Sequence, residues 1–426
     1  MRSASSPLLA VTAASGAVGL AVVLTLAISR TPLGAPLFFS LLALFTLAYA
    51  VLLARVWGWS GDSRRPFQLA LVFAVLFRLP LAFSPVGSDS DMVRYLWDGR
   101  VQQQGLNPFA VVPSNPALGA THTAESARMP SLRARTPYPP GAQLFFRLVV
   151  AIRDSTLAMK LALVLCDLLT ILVVARWLRR SGRSELRAIA YAWNPLVVLE
   201  VAHSGHIDAL GALWIAAAAY WLTERRTLPA TLAFVMAVAS KLLPIVLVPL
   251  LVGRVRMRDA AIGVVLLGAL YFHYHDPAGL TFGAVPNVVA YIRFNGPVFR
   301  GLETPLGPQG AAAVALLAGV TTAAIARWRL DASNPAAWAW PMALALVCAP
   351  VIYPWYLLYL TPFLFTRATL PLLAWCLSGL AAYVVWEISR QGGRWIVPAS
   401  VQAFELAVPV VVSLALYAKR QTADGG

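Results

Sequence analysis

Along most of the chain, apolar residues come in unbroken runs rather than in alternation with polar ones. Such runs lie near 8–28, 37–57, 67–83, 157–178, 187–202, 207–223, 229–252, 259–274, 310–327, 336–352, 355–366, 368–388 and 398–418. A helix needs about 20 apolar residues to cross the hydrocarbon core of a bilayer. Barrel strands would instead alternate over about ten residues, and lipid tolerates only helices or closed barrels. The pattern therefore predicts an all-α polytopic membrane protein of about 13 transmembrane segments. The run from Leu8 to Ile28 has no small-residue cleavage site and reads as a retained first helix.

Composition agrees with this reading. Of 426 residues, 59% are apolar and 12% charged, half the charged share of an ordinary soluble domain, which excludes a soluble enzyme. The net charge of +16 sits in short clusters between the apolar runs. It reads as topology and contact with anionic membrane lipids rather than nucleic-acid binding. The clusters are Arg55 with Arg64 and Arg65; Arg176, Arg179, Arg180, Arg183 and Arg187; Arg225 and Arg226; Arg254, Arg256 and Arg258; and Lys419 with Arg420. Placed on the cytoplasmic side, they put both termini inside and the long segment 84–155 outside, with the loops near 203–207, 275–308 and 389–397.

The run 229–252 is basic at both flanks, so it is expected to split at Ser240-Lys241-Leu242-Leu243-Pro244 and to enter and leave at one face. Cys166, Cys348 and Cys376 lie apart in apolar segments and imply neither disulfide nor zinc site. No fixed-period repeat appears, which argues against transporters built from two similar halves.

The outer segment carries the candidate chemistry. From Asp91 a helix is predicted that places Asp91, Arg94, Tyr95, Asp98 and Gln102 on one face and Met92, Val93, Leu96 and Trp97 on the other. Such an amphipathic helix can lie on the outer leaflet with its charged face towards the bundle. Ser88, Asp89 or Ser90 can cap it, and Gly105 with Pro108 ends it. Asp89 reads as a cap, and Asp91–Arg94 as an ordinary ion pair in the plainest account. Asp91 and Asp98 nevertheless stand just beyond a membrane span, where a carboxylate can accept a proton from a sugar hydroxyl. Arg94 or Arg100 can meet a phosphate.

The run Arg94-Tyr-Leu-Trp-Asp-Gly-Arg-Val101, followed by Gly105, Asn107-Pro108 and Tyr138-Pro139-Pro140-Gly141, resembles the first outer loop of integral-membrane glycosyltransferases of the GT-C superfamily. The similarity is to glycosyltransferase family 87 and the polyprenol-phosphate-mannose-dependent mannosyltransferases. Trp193-Asn194-Pro195 with Glu200, His206 and Asp208, the Lys241-x-x-Pro244 element and Tyr353-Pro354-Trp355-Tyr356 extend it over 89–356. The resemblance implies a GT-C-like bundle in a bacterial cytoplasmic membrane, with a large first outer loop carrying amphipathic helices. It further implies inverting transfer of a hexose, most commonly mannose, from a polyprenyl-phosphate donor to a glycan or lipid acceptor on the outer face. A loop Asp would serve as general base. Relatives commonly carry adjacent Asp-Asp just before the position of Met92; here Ser90-Asp91 stands there with Asp89 displaced by one. Either Asp91 is the base or Asp89 substitutes for the first carboxylate.

Other positions add to the candidate site. Glu200, His203 and His206 are three apart and with Asp208 have a spacing that can hold a divalent ion, the one cofactor left open. The commoner reading is a cap at Asp208 and histidines in a wet vestibule, and no metal is assigned. The family reading makes His206, Asp208 and Tyr138 substrate contacts. Lys241, inside a membrane run, is expected to face a cavity and meet a phosphate. Asp167 is expected to pair with another polar helix residue, and Glu405 is given no role. Trp355 and Tyr356 fit an aromatic belt, and also fit stacking against sugar rings. Tyr95 and Asp98 complete the substrate-facing set. No nucleotide-binding Gly-rich loop appears. The rival readings are a transporter or lipid flippase using Asp167, Lys241 and Glu405, and a non-catalytic polyprenyl-phosphate binder.

Overall fold

The computed structural model describes residues 6–61, 63–86, 90–276 and 282–424; Asp89 lies outside the described residues. The fold is all helical. Its longer helices are α1 (Ser6–Ser29), α2 (Pro36–Trp57), α3 (Arg64–Ala82), α4 (Asp91–Gln103), α5 (Pro140–Ile152), α6 (Thr156–Arg180), α7 (Asp208–Thr223) and α8 (Thr227–Ser240). They continue with α9 (Met257–His273), α10 (Pro297–Arg329), α11 (Pro335–Val347), α12 (Arg367–Arg390) and α13 (Ala399–Asp424).

Among the described residues seven helices are long and apolar enough to cross a membrane: α1, α2, α3, α6, α10, α12 and α13. The protein is a polytopic membrane protein, but fewer of its crossings are continuous long helices than the apolar runs predict. Proline explains part of the difference, because it removes a backbone donor and clashes with the preceding turn. The run 187–202 breaks at Asn194-Pro195 and closes on a π-helical turn, Val198–His203. The run 355–366 becomes two 3-10 turns, Pro354–Tyr359 and Thr361–Phe363. Both are wrapped by protein: Trp193, Val197, Val201, Leu358 and Phe363 are at most 1% exposed, the condition under which irregular backbone is tolerated at membrane depth. The run expected at 310–327 starts earlier, at Pro297, and kinks at Gly307.

The run 229–252 splits where its sequence indicates. Helix α8 ends at Ser240, Lys241 is extended, and the 3-10 turn Leu243–Leu247 follows. Both flanks lie at one end of the bundle, since Thr227, the first residue of α8, donates to Asp259 at the start of α9. The Arg180–Glu224 ion pair ties further basic connections together at that end. The opposite end gathers the C-termini of α1, α3 and α8, the N-termini of α6 and α7, and the segment 84–155.

Asp167 finds a partner that sequence alone did not name. Arg78 of α3, fully buried, holds it through two nitrogens and donates to Ala192 O at 2.9 Å. A buried pair of this kind satisfies both charges inside the bundle. Glu405 is likewise internal, accepting from Asn295 Nδ2 at 2.6 Å and Trp375 Nε1 at 3.0 Å.

Helix α4 does not lie on a leaflet with its apolar face in lipid. Trp97, Val93 and Val101 are covered by Leu118 and Met129 from the segment that follows, and Met92, Tyr95 and Asp98 are sealed on the other side. Two 3-10 turns, Pro116–Thr121 and Ser126–Arg128, build this cover, and the Trp97 indole is anchored by Thr121 Oγ1 at 2.8 Å.

Candidate active site

Helix α4 starts as its sequence requires. Ser90 accepts from Met92 N at 3.3 Å, and Asp91 takes the first helical position, where a carboxylate suits the free N–H groups. The helix is locked from behind through Asp98, which accepts from Arg94 Nε at 2.7 Å, Thr136 Oγ1 at 2.6 Å and Gln143 Nε2 at 2.9 Å. Tyr95 stacks on Phe146 at 4.5 Å, and its hydroxyl accepts from Ile207 N at 3.3 Å. The turn 203–207 thus presses on α4. Gly205 sits there with φ 72°, and a Cβ would strike the Met92 methyl, so both conformation and space call for glycine.

These supports place Asp91 at a cavity of about 430 Å³. His203, Ser204, His206, Trp355 and Tyr383 line it, together with the C-terminal end of α1 and the residues that follow α1 and α3. The Asp91 side chain is 41% exposed into this space, with His206 Nδ1 at 3.7 Å from its carboxylate. Tyr138 hydrogen-bonds the same carboxylate. Desolvation raises its pKa to about 6, against the opposing pull of Lys241, with Asp208 adding to the rise.

Behind Asp91 runs a connected set of polar groups. His206 Nε2 lies 3.4 Å from Glu200 Oε2. Glu200 is fully buried and accepts from the Tyr383 hydroxyl at 2.7 and 2.9 Å on its two oxygens. The His206 ring stacks on Trp355 at 4.0 Å, and Trp355 on Tyr353 at 4.4 Å, both nearly parallel. Alongside, Lys241 Nζ pairs with Asp208 Oδ1 at 2.5 Å and sits 3.6 Å from the centre of the Tyr356 ring.

Sequence reasoning and geometry part company at several residues. Asp91, Tyr95, Tyr138, His206, Asp208, Lys241, Trp355 and Tyr356 are brought together. Asp98 is not available to a ligand: it is sealed and its oxygens are taken. The Asp91–Arg94 pair does not form, because Arg94 turns to Asp98 and to Ala134 O at 3.0 Å. Arg100 pairs with Asp154 at 2.6 Å. Lys241 holds Asp208 rather than standing free for a phosphate. Among the described residues no group of three or more His, Cys, Asp or Glu side chains is placed to hold a metal ion. The sequence reading missed three cavity-lining residues: Tyr383, inside an apolar run, Arg390, at the end of α12, and Arg30, on a short connection without a motif. The one signal for Arg30 is a cation on a connection away from every basic cluster.

A helical bundle with seven helices able to cross a membrane, among the described residues, and a carboxylate at a partly apolar cavity defines a polytopic membrane protein with a candidate active site. A family profile described as "Alpha-(1->6)-mannopyranosyltransferase, N-terminal domain" matches residues 5–257, and the chain belongs to that family. The chain is also 31% identical over 144 residues to the alpha-(1->6)-mannopyranosyltransferase Rv1459c of Mycobacterium tuberculosis (strain ATCC 25618 / H37Rv). That match covers 32% of this chain and 24% of the relative. No solved structure matches. The family matches the resemblance drawn from the loop motifs.

Proposed function

We propose that the protein is a membrane mannosyltransferase that moves mannose from a polyprenyl-phosphate donor to a glycan or lipid acceptor, with Asp91 as general base. The observation that carries this reading is the Asp91 carboxylate at the wall of a partly apolar cavity, faced by His206 and Tyr138, where desolvation pushes its pKa up to about 6. Near neutral pH such a group is mostly ionised yet basic enough to take a proton as an acceptor hydroxyl attacks. The acceptor oxygen bonds to the anomeric carbon, the bond from that carbon to the phosphate oxygen breaks with its electron pair, and the hydroxyl proton passes to Asp91. Attack from the side opposite the leaving phosphate inverts the anomeric centre. The leaving group is already an anion and needs charge stabilisation more than protonation.

Within this reading the segment 84–155 is the catalytic loop, on the outer face of a bacterial cytoplasmic membrane with both termini inside. Tyr138 hydrogen-bonds the Asp91 carboxylate, His206 faces it at 3.7 Å, and Trp355, stacked on both His206 and Tyr353, fixes the orientation of the imidazole. The Lys241–Asp208 pair and Tyr356 shape the field beside Asp91. Family membership supports mannose as the sugar. The test is release of free polyprenyl phosphate from a panel of polyprenyl-phosphate hexoses by the protein in nanodiscs with membrane-glycan acceptors. Wild type is expected to release it from the mannose donor and Asp91→Asn to be slower by a factor of about 10²–10⁴. Equal rates in the two would remove Asp91 from the mechanism.

A further inference from the structure

A lipid-linked phosphate needs a cation, yet the three that the sequence nominates for it, on the loop and after α8, are engaged. Arg94 holds Asp98, Arg100 holds Asp154 and Lys241 holds Asp208. Part of the cavity lining comes from the connection between α1 and α2. It contains Leu26, Ala27, Arg30 and Leu33 and meets Pro85 and Val86 after α3. Arg30 makes no ion pair or side-chain hydrogen bond among the described residues, so its charge is uncompensated. It is also held in place. Its own backbone takes the left-handed φ of 48°, uncommon outside glycine. Arg390 donates to Leu33 O at 2.8 Å, and Gly34, φ 79°, lies so close to Tyr383 O that a Cβ would collide.

The rim on this side is apolar and open. Ile28 on α1 is 79% exposed and Phe83 at the end of α3 is 65% exposed, beside the residues that line the cavity. The cavity lining therefore combines apolar side chains, a guanidinium without an ion pair, and the Asp91 carboxylate. That combination matches a ligand with a hydrocarbon tail, a phosphate and a sugar.

We propose that the α1–α2 connection is the seat of a lipid phosphate, with Arg30 binding the phosphate and Leu26, Leu33 and Val86 flanking the first units of the hydrocarbon chain. This rests on the lipid-donor reading above and goes beyond it by assigning the phosphate to the N-terminal hairpin rather than to the outer loop or Lys241. A guanidinium suits the task because it presents paired donors to phosphate oxygens.

The test measures binding of undecaprenyl phosphate, without sugar, to the full chain in nanodiscs rich in phosphatidylglycerol, by native mass spectrometry. Wild type is compared with Arg30→Gln, Arg30→Lys and, as an exposed control, Arg128→Gln. Arg30→Gln is expected to weaken binding by about tenfold or more, Arg30→Lys by less, and Arg128→Gln not at all. With a turned-over donor, Arg30→Gln is expected to raise KM by a similar factor and also to lower kcat, because the phosphate that Arg30 holds gains charge as the anomeric bond breaks. A parallel arm with inorganic phosphate should compete only weakly; competition as strong as the lipid's would overturn the apolar half of the seat. Wild-type binding retained by Arg30→Gln overturns the proposal, as does absence of binding to wild type. Arg30-dependent binding without turnover of any donor would sustain the seat while removing the transferase reading.

Discussion

The pKa of Asp91 makes a quantitative prediction about rate against pH. A base must be ionised to act, and a group of pKa about 6 is roughly 9% ionised at pH 5, 50% at pH 6 and 91% at pH 7. The value of kcat/KM should therefore rise about tenfold from pH 5 to pH 7 and then level off. An ordinary aspartate, near 4, would give almost no change over that interval. The cause lies in the fold: desolvation at the cavity wall outweighs the pull of Lys241, the Tyr138 hydrogen bond and Arg94. Stability carries the matching signature. The folded-state pKa is raised above the unfolded value, so the folded state binds more protons between about pH 4 and 6, and stability falls as pH rises through that window. Asp91→Asn removes that dependence, so the variant should be no less stable than wild type at pH 7.5 while losing turnover. The assay is initial-rate release of polyprenyl phosphate in nanodiscs from pH 5 to 8, paired with thermal unfolding of both proteins. A flat profile between pH 5 and 7 in the active wild type would refute the assignment of a perturbed carboxylate to the rate-determining base.

Further outcomes follow from the supports of the site. Asp98→Ala leaves the buried Arg94 charge without its partner and should cost about 3–5 kcal/mol, read as a lowered unfolding temperature; an unchanged temperature would contradict the sealed role of Asp98. Lys241→Met strands Asp208 and should destabilise by a similar amount, about 3–5 kcal/mol, with much of it recovered in Lys241→Met/Asp208→Asn. Gly205→Ala forces a left-handed residue and a clash with Met92, costing about 1–3 kcal/mol and displacing His206, so kcat should fall in protein that still folds. Glu200→Gln keeps the shape but replaces a buried, titratable carboxyl facing His206 with an amide that cannot exchange a proton; turnover is expected to fall about tenfold with donor KM unchanged, and an unaltered rate would detach Glu200 from the chemistry.

Much of this was legible in the residues themselves. Continuous apolar runs of about 20 residues read as buried or lipid-facing helix, and the local sequence set the start of α4 at Asp91, capped by Ser90, and the break of α8 after Ser240. Both are decided by neighbours within a turn or two. The basic flanks of 229–252 likewise announced a segment that returns to its own side. The sequence could also collect Asp91, Tyr138, His206 and Trp355, because motifs name residue types without needing their distances.

Which charges are spent and which are free was decided only by tertiary structure. Arg94 stands three residues from Asp91 and four from Asp98, and helix geometry permits either pairing. The choice fell to Asp98 because Thr136 and Gln143, from a distant stretch, complete that carboxylate's hydrogen bonds. The sequence points Lys241 at a cavity and a phosphate; the fold pairs it with Asp208, 33 residues away. Arg30 stood outside every motif, yet the docking of its connection against α12 leaves it facing the cavity. Local pattern fixes periodicity and caps, which depend on adjacent residues. The balance of buried charge depends on partners far apart in the chain, and those meet only when the bundle closes.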